Sequence, residues 1–205
     1  VKLIKIVANK FARFYIFVIR GTPMMVQSLI FYYAIFNLFK RTGMSVTEIN
    51  RVWSLFISGL VTVSLNSTAY LAEVLRGGIL AVDAGQMEAA RSLGMTHWQA
   101  MRRVVFPQAI KNSLPAIGNE FIINIKDSSV LCVLGVSDLM FMTRSVAGIY
   151  YKGTECYLIA ATVYLFLTYL SSLLLKALTG KMTAPDNTKR HQGNHTVDLG
   201  LPSSN

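Results

Sequence analysis

Long apolar stretches constrain the fold of this chain more than any other feature. Residues 52–75 and 156–178 each carry a single charged side chain and exceed the about 20 residues that a helix needs to cross a bilayer. Hydrophobic residues make up 53% of the chain and charged residues 15%, whereas soluble domains have about 45–50% and about 25%. Because a backbone in lipid must satisfy its own hydrogen bonds, the sequence predicts an all-α membrane protein.

Four membrane spans are predicted within one transmembrane domain, residues 21–180. The spans cover about residues 22–39, 52–75, 113–136 and 156–178. Residues 1–20 mix five cations with aromatic and aliphatic side chains, which predicts an amphipathic helix at the membrane interface. The remaining predictions are a second span that ends at Gly77 and Gly78, loops at 40–51 and 137–155, and a disordered polar tail at 181–205.

The distribution of cations predicts the topology. Fourteen of the 20 Lys and Arg residues fall in segments 1–20, 76–112 and 176–205, and five fall in the loops on the other side. Since cytoplasmic loops carry the excess of Lys and Arg, we expect the polar loop 79–112 and the C-terminus in the cytoplasm of a bacterial cell. The same bias accounts for the net charge of +10 without a nucleic-acid partner.

The polar stretch 86–107 predicts two short helices joined by a turn. Gly94 suits the position just past a helix end, where a positive φ is needed. Thr96 and Gln99 have the spacing of a capping box that starts the second helix, and Pro107 is predicted to end it. Ala89 and Ala90 form a small-residue face that lets another surface approach the backbone. This loop is therefore predicted to dock against a cytoplasmic partner.

The third span is unusual because it contains ionisable side chains, which are costly in a membrane and indicate function. Glu120 and Asp127 are seven residues apart and share one helix face with Asn124. Two carboxylates beside a cavity suit the α-ammonium group of an amino acid or a cationic side chain. The alternative is that these charges, with Lys126, pair at an interface between subunits; the sequence leaves both open. Asn119 is the further substrate-binding candidate on this span.

The second span has a polar centre that includes Ser64 and Ser67. These hydroxyls either bond to neighbouring helices or face a transport pathway, and both interpretations stay open. No protease, hydrolase or nucleotide-binding motif is present. Cys132 and Cys156 lie in apolar surroundings, which favours buried thiols over a disulfide or a metal site. We therefore expect neither an enzyme nor a metalloprotein.

Several segments resemble the permease subunits of ABC importers. Glu88, Ala89 and Ala90, then Gly94 after three residues and Pro107 after twelve more, match the spacing of the EAA loop of that family. The stretch IRGTPMMVQ at residues 19–27 is similar to a segment of the polar amino acid subfamily. Further similar segments, AY–E–RGGI, GN–F and KDSS, lie at residues 69–79, 118–121 and 126–129.

The resemblance implies a type I importer permease of the MetI-like fold, which moves polar L-amino acids, cationic ones among them, into the cell. It implies a dimer, with a second copy or a paralogue, over two ATPase subunits that hold ATP and Mg²⁺, and an external amino-acid-binding protein. This chain itself would need no cofactor. The coupling residues would be Glu88, Ala89, Ala90, Arg91, Gly94 and Pro107. Such permeases usually have a further span before the RGTP segment, which is not visible in this sequence.

Two other classes of membrane protein are alternatives to this interpretation. A self-contained secondary transporter or channel would need inverted repeats and leaves the docking loop unexplained. A membrane scaffold leaves the ionisable residues of the third span unexplained. Co-purification with an ATPase distinguishes the permease from both.

Overall fold

The computed structural model describes residues 2–180, and all of its regular elements are helical. The predicted all-α class is confirmed for this part of the chain, and the predicted tail at 181–205 lies outside the described residues. The helices are α1 (Lys2–Gly21), α2 (Met24–Arg41), α3 (Val46–Val52), α4 (Leu55–Leu80), α5 (Ala84–Ser92), α6 (His97–Ala100), α7 (Phe106–Asp127), α8 (Leu139–Tyr150) and α9 (Gly153–Gly180). A π-helical turn, Met101–Val105, joins α6 to α7, and a 3₁₀ segment, Ser128–Val133, follows α7.

Two of the described helices, α4 and α9, are each long and apolar enough to cross a membrane. Residues 6–21 of α1 and the whole of α2 meet the same requirement as a pair that bends by 112°. The bend lies at Thr22 and Pro23, where Pro23 has an extended backbone and its ring supplies no amide donor. The predicted span limits and the interfacial position of residues 1–20 remain predictions.

Helix α4 is the centre of the fold, since it packs against α1, α2 and α7. Tyr15 connects α1 to the middle of α4, because its hydroxyl donates to the Leu65 carbonyl at 2.6 Å. The C-terminal half of α1 therefore lies beside a helix that is long enough to span the membrane.

The prediction that Gly77 and Gly78 end the second helix is wrong, because α4 continues to Leu80. Gly78 is buried where α4 meets α7, and a Cβ there would overlap the Ser113 side chain and lie 2.7 Å from the Ala109 carbonyl oxygen. Gly77 has open space instead. The close packing of α4 against α7 therefore explains why a glycine occupies position 78, and a helix end does not.

Both segments predicted as loops contain a helix. Ser45 caps α3 in a full capping box with Glu48, and Asp138 caps α8 by accepting from the Phe141 amide. The Ser45 hydroxyl and amide, which both donate to Glu48, hold the pKa of that carboxyl below its usual range. The S-x-x-E pattern at Ser45 is a readable helix start, but α3 has seven residues and α8 has twelve, so both are shorter than the membrane spans that the apolar stretches predict.

Candidate functional site

A cavity of about 570 Å³ lies where the α1–α2 bend meets α4 and α7. All three parts of the structure contribute side chains to its wall. The lining residues are Arg20, Gly21, Thr22, Pro23, Met24, Asn66, Tyr70, Glu120, Ile123 and Asp127. Two predicted substrate residues, Glu120 and Asp127, are thus brought to one cavity.

The two carboxylates differ in exposure. Glu120 is buried, with 9% of its surface accessible, whereas Asp127 is exposed at the end of α7. Lys126 is exposed as well but is not part of the cavity wall. Among the described residues, neither carboxylate forms an ion pair within the chain. A cavity that holds two acidic groups without a cationic partner within salt-bridge distance attracts a cation.

Arg20 gives the same cavity a positive group. Its guanidinium lies 3.8 Å from a Glu73 carboxylate oxygen and 5.1 Å from the centre of the Tyr70 ring, on which it forms a cation–π contact. Glu73 bonds more closely to Arg76, at 2.7 Å, as the spacing of three residues on one helix permits. Arg20 therefore shares the Glu73 carboxylate with Arg76, and its side chain is 42% exposed. It is thus available to an anionic group in the cavity.

Sequence reasoning missed Arg20, Asn66 and Tyr70 as cavity residues. The available signal was the helix break at Gly21, Thr22 and Pro23, which directly follows Arg20. A cation at a broken helix end within an apolar region indicates a site that lies inside the protein.

The other predicted substrate residues do not line this cavity. Asn119 is exposed, and Asn124 is half-buried on α7. Ser64 is exposed and donates to the Leu60 carbonyl of its own helix. Ser67 is half-buried. Their role in substrate binding remains a prediction, for which the cavity geometry gives no support.

The predicted helix–turn–helix is present at α5 and α6. Gly94 has a φ of +83°, in the left-handed region. Thr96 accepts from the Gln99 amide, and the Gln99 side chain accepts from the Thr96 amide at 2.9 Å. The predicted turn and capping box are both confirmed.

The two predicted docking alanines lie in different environments. Ala90 is buried, whereas Ala89, Glu88 and Arg91 are exposed. Two large apolar side chains near the turn are also exposed: Leu93 by 81% and Trp98 by 71%. Leu93 and Trp98 were not predicted from the sequence as contact residues, although a Leu and a Trp within a polar loop indicate a contact surface.

The prediction that Pro107 ends the second helix is wrong. Helical backbone continues from α6 through the π-helical turn into α7, and Pro107 lies in the first turn of α7. A proline ring crowds the carbonyl four residues earlier, and a π-helical turn relieves such crowding by widening the helix. The Gln108 side chain donates to the Val104 carbonyl at 3.0 Å. The loop is therefore joined to α7, which carries Glu120 and Asp127, by uninterrupted helix.

The described residues contain no cluster of three or more metal-ligating side chains, and both cysteines are free.

The sequence model of the family described as "Binding-protein-dependent transport system inner membrane component" matches residues 3–184. The chain belongs to this family. It is the permease subunit of an ABC importer, as the loop spacing predicted, and hence an all-α membrane protein.

Individual relatives agree with this assignment. The permease is 34% identical over 176 residues to the glutamine transport system permease protein GlnP of Escherichia coli, with 86% of this chain and 76% of the relative covered. It is 37% identical over 182 residues to the probable amino-acid permease protein YxeN of Bacillus subtilis, with 89% and 78% covered. It also matches a crystal structure of an amino acid ABC transporter with histidines, at 44% identity and a TM-score of 0.73, with 88% and 78% covered.

Proposed function

We propose that this permease moves polar amino acids, cationic ones among them, across the bacterial cytoplasmic membrane through the cavity at the α1–α2 bend. The observation that carries the proposal is the charge pattern of that cavity, which combines one guanidinium, on Arg20, with two carboxylates, on Glu120 and Asp127. A free amino acid presents one carboxylate and one ammonium group. Arg20 would hold the carboxylate, and Glu120 and Asp127 would hold the ammonium group or a cationic side chain.

The names of the relatives support the same substrate class, since they are described as glutamine and amino-acid permeases. The alternative role of Glu120 and Asp127 is pairing across a subunit interface, and variants that neutralise their charges separate the two roles. A permease that uses these residues only for assembly would bind amino acids equally well without them.

The loop of α5 and α6 would dock in the cytoplasm on a partner ATPase, which binds ATP and Mg²⁺. Leu93 and Trp98 would supply the apolar contacts, because large exposed apolar side chains carry most of the binding energy of many interfaces. The rest of the contact surface would come from Glu88, Ala89 and Arg91, and Gly94 would set the angle between α5 and α6. Ala90 and Pro107 would act from within, by holding α5 and α7 in place.

The complete importer would contain two permease subunits, two ATPase subunits and an external amino-acid-binding protein. The second permease subunit would be a copy of this chain or a paralogue. In this arrangement the π-helical turn and α7 form the path by which a movement of the ATPase reaches the cavity.

The test uses the purified permease–ATPase complex without its external binding protein, so that only the permease selects the ligand. Polar and cationic amino acids are compared with analogues that lack the carboxylate and with analogues that lack the ammonium group. We expect each analogue to bind at least about tenfold more weakly, because its charged partner in the cavity is left unpaired. Equal binding of the analogues would contradict the proposed substrate class, and failure of the permease to co-purify with an ATPase would contradict the proposed docking of the loop.

A further inference from the structure

The buried side chain of Gln27, which is 5% exposed, forms hydrogen bonds across the bend between α1 and α2. Its amide nitrogen lies 2.7 Å from the Ile19 carbonyl oxygen, 2.9 Å from the Thr22 carbonyl oxygen and 2.8 Å from the Thr22 hydroxyl oxygen. Since the amide has two hydrogens, at least one of them is shared between two of these acceptors. Carbonyl oxygens cannot donate, so the nitrogen of the amide must face the bend and its oxygen must face away.

These bonds replace the helical bonds that the bend removes. The last carbonyls of a helix have no partner within it. At the end of α1 the Val18 carbonyl accepts from the Thr22 hydroxyl at 2.8 Å, and the Ile19 carbonyl accepts from Gln27. Gln27 is in the first turn of α2, so it fixes the end of one helix from the beginning of the next.

The oxygen of the same amide reaches across to α4. The Asn66 side chain donates to it at 3.3 Å, and Asn66 is itself on the cavity wall. Half of that wall comes from the bend, residues 20–24. One side chain therefore connects the bend, which carries Arg20, to the facing wall on α4.

We infer that Gln27 is a positioning residue that sets the α1–α2 bend and thereby the distance between Arg20 and the carboxylates of the cavity. Its effect on ligand affinity rests on the proposed function, whereas its effect on the bend does not. An apolar side chain of the same length would leave the Ile19 and Thr22 carbonyls without their donor and free the two helices to change their angle.

The experiment measures the bend and the affinity separately in the permease–ATPase complex. Spin labels at Arg13→Cys on α1 and Tyr33→Cys on α2, both exposed positions, report the distance between the helices after Cys132 and Cys156 are replaced by serine. Complexes with one label in each chain identify the distances between copies. The substitution is Gln27→Met, and the matched control is Ser28→Ala. Ser28 is also buried, but among the described residues its hydroxyl bonds only to Met25 of its own helix.

We expect Gln27→Met to shift or broaden the distance distribution without any ligand, and to weaken binding of arginine about tenfold, as expected for an unsatisfied buried group. Ser28→Ala should change neither. A wild-type distribution in Gln27→Met, or an altered distribution with unchanged affinity, would overturn the inference. If Gln27→Met does not assemble, Gln27→Asn keeps the polarity but shortens the reach, and an unchanged distribution in that variant is equally decisive. If no amino acid binds even the unaltered complex, the proposed function fails, while the distance measurement still tests the role of Gln27 in the bend.

Discussion

The docking loop and the cavity are built in opposite ways. The loop, α5 to α6, is defined by neighbours in sequence: Gly94 makes the turn, and Thr96 and Gln99 cap each other three residues apart. The cavity joins Arg20, Asn66 and Asp127, which come from three helices distant in sequence. A local device can be altered without affecting the rest of the permease, whereas the cavity depends on how α1, α4 and α7 pack.

The strongest test of this contrast is Gly94→Val. A β-branched residue in the left-handed region is strained by about 1–3 kcal/mol, so the angle between α5 and α6 should change. We expect transport and transport-coupled ATP hydrolysis to be abolished while membrane insertion is retained, measured by uptake and by membrane fractionation.

Gly77→Val is the matched control, because Gly77 has neither a positive φ nor a neighbour near its Cβ position. It should retain transport. Normal uptake by the Gly94 variant would show that the turn does not set the coupling geometry.

The next largest effect concerns the packing that holds the cavity together. Gly78→Ala should destabilise the permease by about 1–3 kcal/mol, because the added methyl group meets the backbone of α7. The neighbouring Gly77→Ala should stabilise it by about 0.5–1 kcal/mol through lower chain entropy in the unfolded state. Thermal unfolding of the two purified variants measures both, and equal midpoints would show that α4 and α7 can separate without cost.

A smaller effect is expected at the exposed apolar pair. Leu93→Ala and Trp98→Ala should each weaken ATPase binding by more than about 1 kcal/mol, as for residues at the centre of an interface. Their thermal stability should not change, because both side chains are exposed in the permease alone. Co-purification and titration with the ATPase measure the loss, and undiminished binding by both variants would move the docking surface elsewhere.

The smallest effect is expected for Thr96→Ala, which removes one half of the capping box. Loss of an N-cap costs about 1 kcal/mol, and α6 has only four residues, so its first turn should fray. Hydrogen exchange of the Gln99 amide should accelerate. Ser92→Ala is the control, because the Ser92 hydroxyl donates to the Glu88 carbonyl within α5 and takes no part in the capping box. Unchanged exchange would mean that packing alone fixes α6.

The same contrast explains what could be read from the sequence. The turn at Gly94 and the capping box of Thr96 and Gln99 were both predicted correctly, because each depends on residues within four positions of one another. The helices α3 and α8 were missed because both are short and contain charged side chains, although a capping residue begins each of them. The passage of helix through Gly78 and Pro107 was missed because helix packing and a π-helical turn override the local signals there. Glu120 and Asp127 could be proposed from their cost in a membrane, but Arg20 and Asn66 could be assigned only when the bend brought them to the same cavity.

The central claim is that Glu120 and Asp127 bind the cationic part of the substrate. The most direct measurement is the affinity of the permease–ATPase complex for arginine in Glu120→Gln and Asp127→Asn. The control is Asn112→Ala, at an exposed position on the same helix but outside the cavity wall. We predict that both charge-neutralising variants assemble with the ATPase and bind arginine at least about tenfold more weakly, and that the control binds normally. Unchanged affinity in both variants would contradict the claim and leave these carboxylates a role in assembly only.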